Sequence, residues 1–152
     1  MVAIIDYGMG NVASVQKALN FINVKSVITN EHSVIKDSSV ILLPGVGSFA
    51  QGMENLNELN LVDLLTEEVL IKQKPFLGIC LGMQLIMESG NEPFECKGLG
   101  WIEGEVKKLE LLDLNIPHMG WNNIQVLNNK YYNKLDNSDF YFIHSYYVKA
   151  TN

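Results

Sequence analysis

The chain has 152 residues, 47% of them hydrophobic and 18% charged, which supports one globular domain with its own core. A net charge of −6 excludes a nucleic-acid binder, and all eleven basic residues are lysine, so the bidentate fork that arginine offers to phosphate and carboxylate is missing. Two cysteines, Cys80 and Cys96, make no disulfide framework, and no apolar run approaches the roughly 20 residues of a membrane helix. The chain opens directly on Val2 to Asp6, an apolar strand with no charged leader before it, so a cytoplasmic protein is expected. Tyr7-Gly8-Met9-Gly10-Asn11 is a glycine-bearing turn, and Val12, Val15, Ala18, Leu19 and Ile22 recur at helical spacing. Ser26 to Thr29 and Val40 to Leu43 read as strands, the second closed by Pro44-Gly45-Val46-Gly47. Met53 to Leu65 carries helical periodicity, with Glu67 to Lys72 as an extension. Pro75 opens the apolar run Phe76 to Cys80, and Leu81 through Met87 resumes the helical period.

Short apolar strands between amphipathic helices imply a parallel sheet covered on both faces, and the chain is too short for an eight-unit barrel. The expected class is therefore α/β, doubly wound. After residue 100 the pattern alternates: Trp101 to Val106, Asn123 to Leu127 and Phe140 to Lys149 read as half-buried strands, with turns at Asn128-Asn129 and Asp136-Asn137-Ser138. This part is expected to be an antiparallel extension of the same domain, 1–152. No cluster has metal-ligand spacing. Gly8-Met9-Gly10 lacks the third glycine and the later acidic partner of a dinucleotide loop, so no cofactor is expected.

The segment Gly78-Ile79-Cys80-Leu81-Gly82 carries the chemistry. An apolar strand precedes it and a helical pattern follows, the arrangement of a nucleophile elbow with sulfur in place of hydroxyl. A sharply turned backbone leaves no room for side chains beside the nucleophile, and Gly78 and Gly82 remove them. Cys80 would then stand at a helix N-terminus, where backbone N–H groups favour thiolate, and the Leu81 N–H would help hold an oxyanion. Cys96, in Glu95-Cys96-Lys97-Gly98, has no such setting and reads as a structural or surface thiol.

Several blocks in order along the chain resemble the glutaminase subunits of imidazole glycerol phosphate synthase, a branch of the class I glutamine amidotransferases. They are Asp6 to Asn11, Pro44 to Phe49, Gly78 to Gln84, Lys97 to Gly100, His118 to Asn122 and Tyr141 to Tyr147. The resemblance implies a flavodoxin-like fold. It also implies a reaction in which Cys80 attacks the carboxamide of glutamine, ammonia leaves, and a glutamyl thioester is hydrolysed. The ammonia would pass to a (β/α)8 cyclase partner in histidine biosynthesis.

By the same resemblance, Gly45, Val46 and Gly47 form the oxyanion strand, and Gln84 and Glu92 contact the substrate. Ser145 and Tyr146 would meet its carboxylate through backbone donors. His118 and Trp121 would lie on the face that meets the synthase. Taken alone, a tryptophan in such a segment is more often core, and Glu92 a solvated carboxylate.

The family also supplies a His-x-Glu pair downstream of the cysteine, where histidine takes and returns protons and the carboxylate orients it. Here the residues two beyond His32, His118 and His144 are Val34, Gly120 and Tyr146. The chain is therefore expected to be a C-terminally truncated product with little turnover by itself. Two other readings stay open: an amidotransferase feeding a surface-sugar enzyme, and a catalytically dead binding protein.

Overall fold

The computed structural model describes residues 1–110, 115–127 and 132–151. In chain order the first elements are β1 (Val2–Ile5), α1 (Val12–Phe21), β2 (Ser26–Thr29), α2 (His32–Asp37), β3 (Val40–Gly45), α3 (Phe49–Glu58) and α4 (Leu61–Thr66). A single π-turn over Glu67–Ile71 follows, then β4 (Phe76–Cys80), α5 (Leu81–Gln84), β5 (Met87–Gly90), β6 (Cys96–Lys97) and β7 (Ile102–Lys108). The last are β8 (His118–Asn123), a short 3-10 turn over Asn133–Leu135, β9 (Asp139–His144) and β10 (Tyr146–Ala150).

The first four strands form an all-parallel sheet in the order β2-β1-β3-β4. That order is the doubly wound arrangement expected of alternating apolar strands and amphipathic helices. Alternation puts Val2, Ile4 and Leu42 on one face, packed against Val12, Val15 and Leu19 of α1. The other parity, Ala3, Ile5, Ile41 and Leu43, is fully buried, as are Phe49, Leu56, Leu61 and Leu65 of α3 and α4. A second sheet runs β10-β7-β5-β6, with β5 parallel to β7 and antiparallel to β6. β8 and β9 form an antiparallel pair. The chain divides into two compact units, Met1–Lys107 with Val148–Asn152, and Lys108–Tyr147.

Four expectations need correction. The helix expected over Met53 to Leu65 starts earlier, at Phe49, and breaks between α3 and α4 because Asn60 takes a left-handed conformation at φ 53°. The helix expected over Leu81 to Met87 lasts one turn. Beyond it, carbonyls of residues 85–88 accept N–H groups from the segment 98–102 instead of from their own next turn: Leu99 N to Leu85 O at 2.8 Å, Trp101 N to Ile86 O at 2.9 Å, Gly98 N to Glu88 O at 2.8 Å. Tertiary partners thus convert a helical pattern into a strand. The strand expected over Asn123 to Leu127 lies earlier, as β8, and Ile124 to Val126 instead hydrogen-bond to Asp136, Asn137 and Ser138 in the turn before β9. The strand expected over Phe140 to Lys149 is two, interrupted at Ser145, whose carbonyl accepts the Leu109 N–H. In addition, α2 has no counterpart in the sequence reading. The turn placed at Asn128-Asn129 lies outside the described residues.

Candidate active site

In this fold the C-terminal ends of β3 and β4 meet, and that is where the elbow sits. Gly45 and Cys80 are register partners, the last pair of the β3–β4 ladder. Parallel pairing therefore holds the Pro44-Gly45-Val46-Gly47 segment beside the cysteine. Cys80 has φ 53° and ψ −112°, a conformation that L side chains rarely adopt and that strains the backbone by about 1–3 kcal/mol. Packing enforces it. A Cβ on Gly78 would stand 2.7 Å from the Gly82 carbonyl carbon, and one on Gly82 would overlap the Leu43 carbonyl. Strand and helix thus close on each other through bare backbone, and Cys80 is pushed out to solvent at the crest.

Leu81, fully buried, begins the single turn of α5, so its N–H has no helical carbonyl to bond. One turn contributes little macrodipole, so the donors that matter at Cys80 are individual N–H groups. Val46 and Gly47 lie just past the ladder; Val46 is exposed and Gly47 has φ 111°. The structure therefore brings together Gly45, Val46, Gly47, Cys80 and Leu81 at one strand-end junction.

Gln84 is buried one helical turn beyond Cys80. Glu92 is half-buried at the start of α3: its carbonyl accepts the Ala50 N–H at 3.0 Å, and its carboxylate accepts from the Phe49 N–H. Burial pushes the Glu92 carboxyl above its ordinary value and the Phe49 N–H pulls it back. Ser48, the residue preceding α3, makes no side-chain cap, so Glu92 serves the helix end that follows the oxyanion segment. It is more than a solvated surface carboxylate. Cys96 is half-buried and its thiol is pushed up by burial.

The second unit holds His118, Trp121, Ser145 and Tyr146. In the β8–β9 register, His118 pairs with His144 and Trp121 with Tyr141. Positions 118 and 121 have opposite parity, so the two side chains leave opposite faces of the hairpin. Trp121 is 74% exposed, beside exposed Met119, Tyr141 and Ile143, and not the core residue its type alone suggests. His118 stacks on Phe142 and lies 2.9 Å, Nδ1 to Nε2, from His144. The other nitrogen of His144 is 2.9 Å from the Tyr146 carbonyl, which only accepts. His144 therefore carries its proton on Nδ1 and accepts from His118 at Nε2. Both of its nitrogens are committed, which removes it as a substitute base. His32 contacts the Leu59 carbonyl.

Tyr7 and Asn55 went unnoticed in the sequence. Tyr7 is 1% exposed with its hydroxyl against Gly45, and Asn55 donates to the Tyr7 carbonyl at 2.9 Å. The one available signal was position, since ligands of open α/β sheets gather beyond the carboxyl ends of the strands and Tyr7 lies just beyond β1. Among the described residues, no three His, Cys, Asp or Glu side chains stand close enough to hold a metal, and no helix is long and apolar enough to cross a membrane.

The family profile for glutamine amidotransferase class-I matches residues 3–152. A protein described as imidazole glycerol phosphate synthase subunit HisH 1 from Campylobacter jejuni strain RM1221 is 51% identical over 153 residues, 99% of this chain and 76% of the relative. The subunit HisH 2 from Methanococcus maripaludis is 47% identical over 97% of this chain and 74% of its own length. HisH from Oceanobacillus iheyensis is 45% identical, covering 99% and 75%. Among solved structures, a crystal structure of a glutamine amidotransferase superposes with a TM-score of 0.72 at 16% identity, over 94% of this chain and 71% of that one.

Proposed function

The chain belongs to the class I glutamine amidotransferases, in their HisH branch, and from that premise we propose that it is the glutaminase subunit of an imidazole glycerol phosphate synthase of histidine biosynthesis, with Cys80 as its nucleophile. One observation supports this best: the last pair of the β3–β4 ladder joins Gly45 to Cys80, which sets a glycine-flanked strand end beside a strained, exposed thiol. The Cys80 sulfur attacks the glutamine carboxamide carbon, and the carbonyl electron pair moves onto oxygen. The Leu81 N–H and a peptide N–H of the Gly45-Val46-Gly47 segment hold that oxyanion, each such donor being worth roughly 100- to 1000-fold in rate. Collapse of this intermediate breaks the C–N bond and leaves a glutamyl thioester, the thiol proton going to the departing nitrogen so that it leaves as ammonia. Gln84, Glu92 and the Ser145-Tyr146 segment are assigned to the rest of the substrate by resemblance.

None of the three histidines is followed two residues on by a carboxylate, and His144 is committed within the hairpin. Relay of the thiol proton to the departing nitrogen and thioester hydrolysis therefore both need an acid–base group that these histidines do not present. Attack by the Cys80 sulfur is the step these residues support, and it is the step to test. A diazoketone analogue of glutamine is expected to label Cys80 and leave Cys96 unmodified, with excess glutamine protecting. Equal labelling of both thiols, or no protection, would defeat the proposal.

For the cyclase partner we propose the exposed face Met119, Trp121, Tyr141 and Ile143 as the contact. Trp121 and Tyr141 meet edge to face at 5.7 Å, a preorganised aromatic pair of the kind that anchors interfaces. Trp121→Ala should weaken partner binding by about 2 kcal/mol or more, roughly 30-fold, with the unfolding midpoint unchanged because the ring is already in water. His118→Ala, acting on the opposite face, should shift the midpoint instead. Titration of both variants against the partner decides; undiminished binding by the Trp121 variant would remove this face from the assignment.

A further inference from the structure

The Tyr7 hydroxyl ends where nothing accepts its proton. It is sealed from solvent and, among the described residues, has no hydrogen-bond partner. Its backbone is fastened on both sides: the Asp6 N–H donates to the Thr29 carbonyl at 3.0 Å, and the Tyr7 carbonyl accepts from Asn55 at 2.9 Å. The phenol is thereby carried to Gly45. A Cβ on Gly45 would overlap the hydroxyl, and the same point lies 2.8 Å from Leu81 Cβ and 3.1 Å from the Gly82 nitrogen. The hydroxyl thus occupies the fork between the last residue of β3 and the first residues of the elbow turn. Burial pushes the phenol far above its ordinary value of 10.0 and charge at Cys80 pushes the same way, so it remains a proton donor.

Gly45 is also the last β3 residue with a ladder partner, which makes Gly45–Val46 the first peptide free to rotate. Its C=O and the Val46 N–H lie in one plane and point in opposite directions. Turning that N–H toward Cys80 must turn the Gly45 carbonyl away. We infer that Tyr7 is a positioning residue for this segment, its hydroxyl held ready to donate to the Gly45 carbonyl when the Val46 N–H faces the nucleophile. The inference rests on the acyl-transfer reading of Cys80. Leaving a buried donor unmatched in one conformation and matched in the other favours the second.

The test is Tyr7→Phe, which removes the hydroxyl and keeps the ring, assayed on this chain with the γ-p-nitrophenyl ester of glutamate. The thiolate attacks the ester carbon, the C–S bond forms, the π pair goes to oxygen, and collapse breaks the C–O bond to release p-nitrophenolate without a proton donor. Iodoacetamide alkylates the same sulfur at a saturated carbon, with iodide leaving and no oxyanion formed. The variant should release p-nitrophenolate about 10-fold more slowly at saturating ester, with half-saturation and the iodoacetamide rate within about two-fold of wild type. Its unfolding midpoint should be equal or higher, because an unmatched hydroxyl has gone. Equal release rates, a parallel fall in both reactions, or a lowered midpoint would each overturn the inference. Absence of p-nitrophenolate release from wild type would overturn the reading of Cys80 and this inference together.

Discussion

Gly82→Ala is expected to lower the unfolding free energy by about 3–5 kcal/mol and to leave Cys80 unreactive toward glutamine analogues. The added methyl would overlap the Leu43 carbonyl oxygen and stand 2.7 Å from the carbonyl carbon. Both atoms are backbone in a buried central strand, so no rotamer change relieves the clash. The turn must move off β3, and Cys80 moves with it, because its φ of 53° is imposed by that contact. Most domains have about 5–15 kcal/mol to lose, so the variant sits near the threshold of folding. Gly100→Ala is the control. That glycine has φ +67° and nothing within 4 Å of a Cβ, so strain of about 1 kcal/mol is the whole effect. Denaturant unfolding of the two variants separates close packing from conformational freedom. Equal losses would mean that the elbow does not depend on the approach of Gly82 to β3.

The elbow was legible because its determinants are local. Phe76 to Cys80 is apolar and bounded by proline, and the two glycines stand at fixed offsets from the cysteine. The parallel order was legible for the same reason, since runs such as Val2 to Ile5 and Val40 to Leu43 are apolar on both faces and need cover on both. What was hidden depends on contacts distant in sequence. The carbonyls after Gln84 are claimed by the segment 98–102, which no pattern within Leu81 to Met87 announces. Tyr7 looked like part of a turn, and its burial against Gly45 joins positions separated by β2 and the length of β3. The opposite parity of His118 and Trp121 could have been read from a two-residue period, but only once their block was known to be a strand.

Glu68 was the least visible of all, since a carboxylate in Glu67 to Lys72 reads as a solvated helix face. Its side chain is 1% exposed, and it accepts from Lys72 and from Lys74, each at 2.7 Å. Lys74 also donates to the carbonyls of Ile35 and Lys36, at 2.9 and 2.8 Å, at the end of α2. The cluster thus ties the π-turn and the entrance to β4 to the end of the helix that leads into β3. Glu68→Gln should lower stability at neutral pH by about 2–3 kcal/mol, below the roughly 3–5 of a fully buried pair because Lys72 is half in water.

The pH dependence fixes the cause. Hydrogen bonds from Lys72 and then Lys74 hold the folded carboxyl of Glu68 below its ordinary 4.5, so the native state favours the ionised form. Its contribution is fully present above the unfolded value and is lost as pH falls through the lowered folded one. Urea midpoints should show a constant gap between wild type and the glutamine variant from about pH 8 to about 6, closing as pH drops below about 4.5. A gap independent of pH would assign the loss to packing instead of charge. Labelling of Cys80 adds the functional half. If this cluster helps hold β4 in register with β3, the variant loses Cys80 reactivity at urea concentrations well below its unfolding midpoint, because the Gly45–Cys80 pair at the far end of the ladder is the last to be held.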